Sequence, residues 1–284
     1  MDHSVNQIVA IPNWSFFDPD LCSEIHRELL DLGLSVQYVQ GDVDHLRTVT
    51  AFSGTQAEVF KAMNSLVAII LPKIDIRRET GVHPRVGGLD VAPFVLLEGL
   101  ESELIEETRA WAEQFSLAFS VPVHLYEKAA LADRENRLPY LRGQMGELAK
   151  LPDFGSLDHP RWGTAVVGVR DFLLAANLNF NPVADIRDVR AVAQEIRFQR
   201  EHNNPALKGV RALAFELKSQ GLVQLSLNLT EPNSTTFDQV YEFAMEMLAD
   251  ESPFLIDTEL IGVIRERDVA GARHLTFDSS QVVR

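Results

Sequence analysis

Apolar residues along this chain recur at two spacings, and the switches between them come in a repeated order. "QIVAIPNW" is nearly continuous in apolar residues, as a buried strand is. "DPDLCSEIHRELLDLGL" places them three and four apart, which predicts an amphipathic helix that Asp18 or Asp20 can cap and Gly33 can end. "SVQYVQG" and "RTVTAFSG" read as two strands joined by the short turn "DVDH". "TQAEVFKAMNSLVAIILPKI" has helical length and spacing, with Pro72 marking its end. After a glycine-rich turn come the strand "LDVAPFVLLEG", the helix "ESELIEETRAWAEQFSLAFS" and the strand "VPVHLYEKAA". The order is β-α-β-β-α-β with a further α-β.

Residues 130–165 break the pattern with scattered turn formers, and loops of this length inside compact domains tend to be functional. From about residue 166 the order starts again. "AVVGVRDFLLAANLNF" reads as one strand and "NPVADIRDVRAVAQEIRFQR" as a helix. "GVRALAFELKSQGLVQLSLNL" gives two strands about a Ser-Gln-Gly turn, "STTFDQVYEFAMEMLADES" a capped helix, and "PFLIDTELIGVI" a closing strand. The predicted fold class is therefore α+β. It consists of two ferredoxin-like (βαββαβ) α/β sandwich subdomains, residues 1–170 and 171–284, each with helices on one face of a mostly antiparallel sheet. A cleft between two such sandwiches is a common place for a small-ligand site.

Composition narrows the function classes. With 41 acidic against 26 basic residues the formal net charge is −15, which argues against general nucleic-acid binding. Apolar runs such as "SLVAIILP" are far shorter than a bilayer span, and "MDHSVNQIVAIPNW" lacks the basic-then-apolar pattern of an export signal, so a cytoplasmic protein without a membrane span is expected. Cys22 is the only cysteine, which excludes an internal disulfide or a thiolate metal cluster, and no histidine or carboxylate spacing predicts a metal site. There is no phosphate-binding P-loop, and "RVGGLD" lacks the dinucleotide spacing and precedes a strand instead of following one.

Against this acidic background the stretch "RRETGVHPRVGGLD" gathers Arg77, Arg78, His83 and Arg85. A histidine in a turn is by default a solvated or structural residue. Here Pro84 biases His83 away from helix, Gly81, Gly87 and Gly88 permit close approach, and Arg85 offers a fork suited to a carboxylate. An imidazole with pKa near ~6.5 both gives and takes a proton at neutral pH, so the assembly suits proton transfer on a carboxylate-bearing substrate. Asp75 and Asp90 are the acids best placed to orient His83 or Arg85. A second His-Pro-Arg triplet, His159-Pro160-Arg161, lies in "DFGSLDHPRWG". That segment reads either as a surface loop or as a ligand wall in which Trp162 stacks and Gly155 and Gly163 expose main-chain amides. His45, beside Asp44 and Arg47, reads as part of a polar turn that can also face the cleft; His26 reads as solvated and His124 as a core-edge residue.

Taken in order along nearly the whole chain, "IVAIPNWSF", "RTVTAFSG", "GVHPRVGGLDVAPF", "PDFGSLDHPRWG", "GVRDFLLAANLNF" and "VQLSLNLTEPNSTTFDQVYEFAMEM" resemble the formiminotransferase domain of the glutamate formiminotransferase family. The resemblance implies a homodimeric enzyme of histidine breakdown and one-carbon metabolism. Such an enzyme moves the formimino group of N-formimino-L-glutamate to N5 of tetrahydrofolate, a co-substrate held between two subdomains. It implies His83 as the catalytic acid/base. It further implies the loop of Gly155, Ser156, Leu157, Asp158, His159, Pro160, Arg161, Trp162 and Gly163 as the folate contact, Arg77 and Arg85 as carboxylate holders, and Asn13 at the donor pocket. The chain departs from the family pattern in "SFFDPD" after Asn13, where Phe16 and Phe17 replace small or charged residues, and at Val82. The family's Asn-Arg-Thr-Val element reads Leu46-Arg47-Thr48-Val49 here. A relative using another formimino or formyl donor, or a folate-binding protein without turnover, are the alternatives that such departures leave open.

Overall fold

The computed structural model describes residues 5–78, 81–131, 138–141, 151–156, 159–249 and 254–284. The chain divides into two compact units, Met1–Asp171 and Phe172–Arg284.

In the first unit the opening apolar run forms two strands, β1 (Gln7–Ala10) and β2 (Asn13–Trp14), and not the single strand expected. Pro12 between them has no N–H to give to a ladder. Helix α1 (Pro19–Asp31) is capped by Asp18, whose carboxylate accepts the Asp20 and Leu21 amides, and Gly33 follows it at φ +82°. Strands β3 (Ser35–Asp42) and β4 (Arg47–Thr55) form the expected hairpin. Helix α2 (Gln56–Ile70) starts on a reciprocal Thr55–Glu58 capping box and tightens into a 3-10 turn, Leu71–Lys73, at Pro72. Strand β5 (Leu89–Glu98), helix α3 (Glu101–Phe119), strand β6 (Val123–Glu127), the short helix α4 (Leu138–Leu141) and strand β7 (Ala165–Val169) complete the unit.

The sheet runs β3-β4-(β1, β2)-β5-β7-β6. Its first four positions are antiparallel neighbours in the ferredoxin-like order. The further α-β adds β7 and β6 parallel to β5, at one edge of an otherwise antiparallel sheet. Helix α3 is the crossover that a parallel return requires. The core lies between the helices and one sheet face, around Trp14, Phe52, Phe60, Met63, Leu66, Phe94 and Trp111. Each such fully buried large side chain contributes about 1.5–3 kcal/mol. A second small cluster of Val91, Tyr126, Val166 and Leu141 adds to it.

The run "AVVGVRDFLLAANLNF" is likewise divided: β7 belongs to the first sheet, and β8 (Leu174–Phe180) opens the second, with the charged pair Arg170-Asp171 between them. Then follow helix α5 (Ile186–Glu201), hairpin β9 (Val210–Leu217) and β10 (Leu222–Leu229), helix α6 (Phe237–Met247) with a Thr236–Gln239 capping box, and β11 (Leu255–Ile261). This sheet is antiparallel throughout, in the order β11-β8-β10-β9. A tail that the periodicity did not predict forms a two-stranded parallel pair, β12 (Ile264–Arg265) with β13 (Val282–Val283). Among the described residues, no helix is long and apolar enough to cross a membrane.

Candidate active site

Strands β4 and β5 both lie antiparallel to β1 and β2, so they run the same way, and β7 runs with β5. The residues entering these three strands therefore lie at one end of the sheet. They are the turn 42–47 before β4, the turn 81–88 before β5, and the loop 159–164 before β7. The two His-Pro-Arg triplets, far apart in sequence, are laced together there. Gly87 faces Gly163 across an isolated bridge, the Gly88 amide donates to the Trp162 carbonyl at 2.8 Å, and the Thr164 amide donates to the Val86 carbonyl at 3.1 Å. A Cβ on Gly87 would fall 1.8 Å from the Thr164 carbonyl oxygen, so this crossing requires glycine. Ser15 ties the first strands in, its hydroxyl donating to the Gly87 carbonyl at 2.6 Å.

His83 is half-buried in this crossing. Its Nδ1 lies 2.8 Å from the Pro84 carbonyl oxygen and its Nε2 lies 3.4 Å from Arg47 Nη1. A carbonyl only accepts and a guanidinium only donates, so Nδ1 carries the hydrogen and Nε2 presents its lone pair. Arg47 is in turn fixed from two sides. Nη2 makes a 2.6 Å ion pair with Asp90, and Nη1 donates to Asn13 Oδ1 at 3.2 Å. The other oxygen of Asp90 accepts the Val86 amide at 2.8 Å. Asp90 thus reaches His83 through Arg47. That route is not legible in the sequence, where Arg47 reads as the first residue of a strand beside a polar turn.

The same turn brings His45 to His83, with ring centroids 6.1 Å apart. His45 Nδ1 and its own amide both meet Asp42 Oδ1, at 2.7 and 2.6 Å. Leu46, between His45 and Arg47, is held at φ +47°, a left-handed conformation that costs a branched residue roughly 1–2 kcal/mol.

The other candidate residues fall into two groups. Arg77 is engaged within the protein. Its fork closes on Asp75 at 2.7 and 2.8 Å, a pairing that holds the Asp75 carboxyl well below the usual range, and Arg78 approaches the same carboxylate at 3.3 Å. Arg161 is engaged too, donating to the Ile74 carbonyl at 2.7 Å and to the Pro72 carbonyl, so it buttresses the 3-10 turn after α2. Arg85 is half-buried on the His83 turn. In the second segment, Gly155, Ser156 and Pro160 are exposed, while Leu157 and Asp158 lie outside the described residues. The His159 ring lies flat on Trp162, centroids 4.4 Å apart and planes 14° from parallel. One face of the indole expected to stack a ligand is thus occupied by a neighbour. His159 Nδ1 accepts the Arg161 and Trp162 amides at 3.2 and 3.1 Å, while burial and the charges of Arg161 and Arg77 push its pKa down. Phe16 lies in the core and Phe17 is partly exposed. Among the described residues, no three of His, Cys, Asp and Glu gather as metal ligands.

An imidazole with a defined tautomer, set between a guanidinium and a carbonyl, can take up a proton and hand it on. Comparison with known proteins gives the family. Residues 7–170 match the family of the formiminotransferase domain, N-terminal subdomain, and residues 175–280 match the formiminotransferase domain. The formimidoyltransferase-cyclodeaminase of Sus scrofa is 32% identical over 232 residues, covering 77% of this chain and 42% of that protein. That of Gallus gallus is 30% identical over 275 residues, covering 89% and 50%. The glutamate formimidoyltransferase of Thermoplasma acidophilum is 27% identical over 273 residues, covering 92% and 88%. The chain spans half or less of the length of the two cyclodeaminase relatives. With both subdomains matched in order, the chain belongs to the formiminotransferase family.

Proposed function

We propose that this chain transfers the formimino group of N-formimino-L-glutamate to N5 of tetrahydrofolate, giving 5-formimino-tetrahydrofolate and L-glutamate. The observation that carries the reading is the setting of His83, whose Nε2 lone pair faces Arg47 while Nδ1 is held by the Pro84 carbonyl. As N5 bonds to the formimino carbon it must shed its proton, and the glutamate nitrogen must gain one before its bond to that carbon breaks. His83 Nε2 takes the first proton, and Arg47 then disfavours the charged ring and drives it to give the proton up. Positioned acid–base groups of this kind typically contribute about 10² to 10⁴ in rate.

In this reading the first unit carries the catalytic histidine and the folate loop, Gly155 to Gly163, and Asn13 borders the donor. Arg85 holds a substrate carboxylate; Arg77 does so only by exchanging Asp75 for it. The reading carries with it a cytoplasmic homodimer acting on small molecules in histidine breakdown.

The test is purified protein given tetrahydrofolate and formiminoglutamate, with 5-formimino-tetrahydrofolate followed by its absorbance, beside His83→Ala. Turnover by the native chain and its loss in the variant support the assignment. Tetrahydrofolate binding without turnover would point to another formimino or formyl donor, or to a binding protein. Full activity in His83→Ala would remove that residue from the mechanism.

A further inference from the structure

His83 alone would have to serve two different nitrogens in succession, the one that attacks and the one that departs. A second imidazole stands beside it. His45 lies in the β3–β4 turn with its ring centroid 6.1 Å from that of His83 and its side chain only 13% exposed. Asp42 Oδ1 holds both the ring, through Nδ1 at 2.7 Å, and the His45 amide at 2.6 Å. A carboxylate oxygen accepts, so Nδ1 carries a hydrogen and Nε2 is the nitrogen through which this ring exchanges protons.

The two turns are bolted to each other. The Val82 amide donates to the Asp44 carbonyl at 2.9 Å, and a Cβ on Gly81 would stand 2.2 Å from the His45 carbonyl oxygen. Leu46, at φ +47°, turns the chain so that His45 and Arg47 flank His83 from one short segment.

The two rings have opposite electrostatic partners. Arg47 opposes positive charge on His83, whereas Asp42 balances it on His45. The other charged groups about them are Asp44 on the His45 turn, Arg85 on the His83 turn and Asp90 on β5, and Asp90 is paired with Arg47 at 2.6 Å. One imidazole beside a guanidinium and a second beside a carboxylate can divide base and acid work between them.

We propose that His45, held by Asp42, is a second catalytic residue and serves as the proton donor to the departing nitrogen while His83 is the acceptor from the attacking one. The proposal rests on the formimino-transfer reading. The bond from N5 to the formimino carbon forms and the bond from that carbon to the glutamate nitrogen breaks. The N5 proton goes to His83 Nε2, and the proton on His45 Nε2 goes to the glutamate nitrogen. A proton returned from His83 to His45 through solvent resets the pair, with no net proton consumed and no redox step.

The experiment compares native chain, His45→Gln, Asp42→Asn and His83→Ala for kcat, KM and the pH dependence of kcat, with thermal midpoints as the control for folding. For His45→Gln the expected result is a kcat lower by about 100-fold or more with KM little changed, and loss of the alkaline limb of the profile. Asp42→Asn, which keeps the ring but not its counter-charge, should lower kcat less and move that limb. His83→Ala should lower kcat at least as far, and any residual turnover should lack the acid limb instead. An active native chain with His45→Gln at native kcat, or with both limbs retained, would overturn the role of His45 and leave the transfer reading standing. Loss of kcat in step with a collapsed thermal midpoint, in Asp42→Asn as well as His45→Gln, would overturn it in favour of a purely structural turn. A native chain that binds both substrates without turnover would overturn the transfer reading and this proposal with it.

Discussion

Arg47 Nη2 stands 2.6 Å from Asp90 Oδ2, although the two residues are 43 positions apart, and the Asp90 side chain is only 1% exposed. Breaking a buried pair from one side leaves an uncompensated charge. Asp90→Ala should therefore destabilise the chain by about 3–5 kcal/mol. Joint replacement of both by apolar residues, as in Arg47→Met with Asp90→Leu, should cost much less than the sum of the single changes. Urea unfolding of the single and double variants measures this, and simple additivity would show that the pair is not coupled.

Leu46 occupies a left-handed conformation at φ +47° where the resemblance leads one to expect asparagine. Asparagine visits this region at little cost. Leu46→Asn should raise stability by up to about 1 kcal/mol, offset in part by the apolar surface a half-buried leucine loses. The thermal midpoint is the readout, and a decrease would mean that Leu46 contributes more by packing than it loses in backbone strain.

His159 makes part of the stability dependent on pH. Its pKa is lowered in the fold by burial and by the charges of Arg161 and Arg77. The unfolded chain therefore takes up the proton first as the pH drops. The contribution is full above the ordinary histidine value of about 6.5 and is lost as pH falls through the window below it. Protonation at Nδ1 also removes the acceptor for the Arg161 and Trp162 amides. Urea midpoints at a series of pH values below neutrality should fall more steeply in the native chain than in His159→Gln. Because the ring lies on Trp162, tryptophan fluorescence should titrate in the native chain and not in the variant. Equal slopes and equal titrations would remove His159 from this role.

Gly87 holds the crossing of the two triplets, and a methyl there would stand 1.8 Å from the Thr164 carbonyl oxygen. Backbone cannot yield as the tip of a side chain does. Gly87→Ala should cost at least about 3 kcal/mol and loosen both the His83 turn and the 159–164 loop. Hydrogen exchange at the Gly88 and Thr164 amides reports on it, and unchanged protection there would show that the crossing tolerates a side chain.

Much of the fold could be read along the chain because its causes are local. The spacing of apolar residues gave the helices, Asp18 gave the start of the first, and the repeated order gave two α+β sandwiches. The misreadings share one physical origin. "QIVAIPNW" and "AVVGVRDFLLAANLNF" are each apolar enough for one strand, and only their ladders show a break at Ile11–Pro12 and at Arg170-Asp171. Likewise, nothing in "VPVHLYE" or "TAVVGV" says that the two strands run parallel to β5, since direction is a property of the crossover and not of the residues.

The sequence by itself determined that His83 sits in a stiff, glycine-flanked turn among arginines, because proline, glycine and charge act on their immediate neighbours. Tertiary structure alone decided which groups surround it. Arg47 and His45 reach His83, and Asn13 and Asp90 reach it through Arg47, because β2, β4 and β5 pair in one sheet and bring their turns to one end. The same geometry engaged Arg161 with the turn after α2, whereas Arg77 closes on Asp75 only two residues away. A guanidinium pairs with whichever acceptor the fold places within about 3 Å, and that distance is set by strand order and register, which no linear spacing encodes.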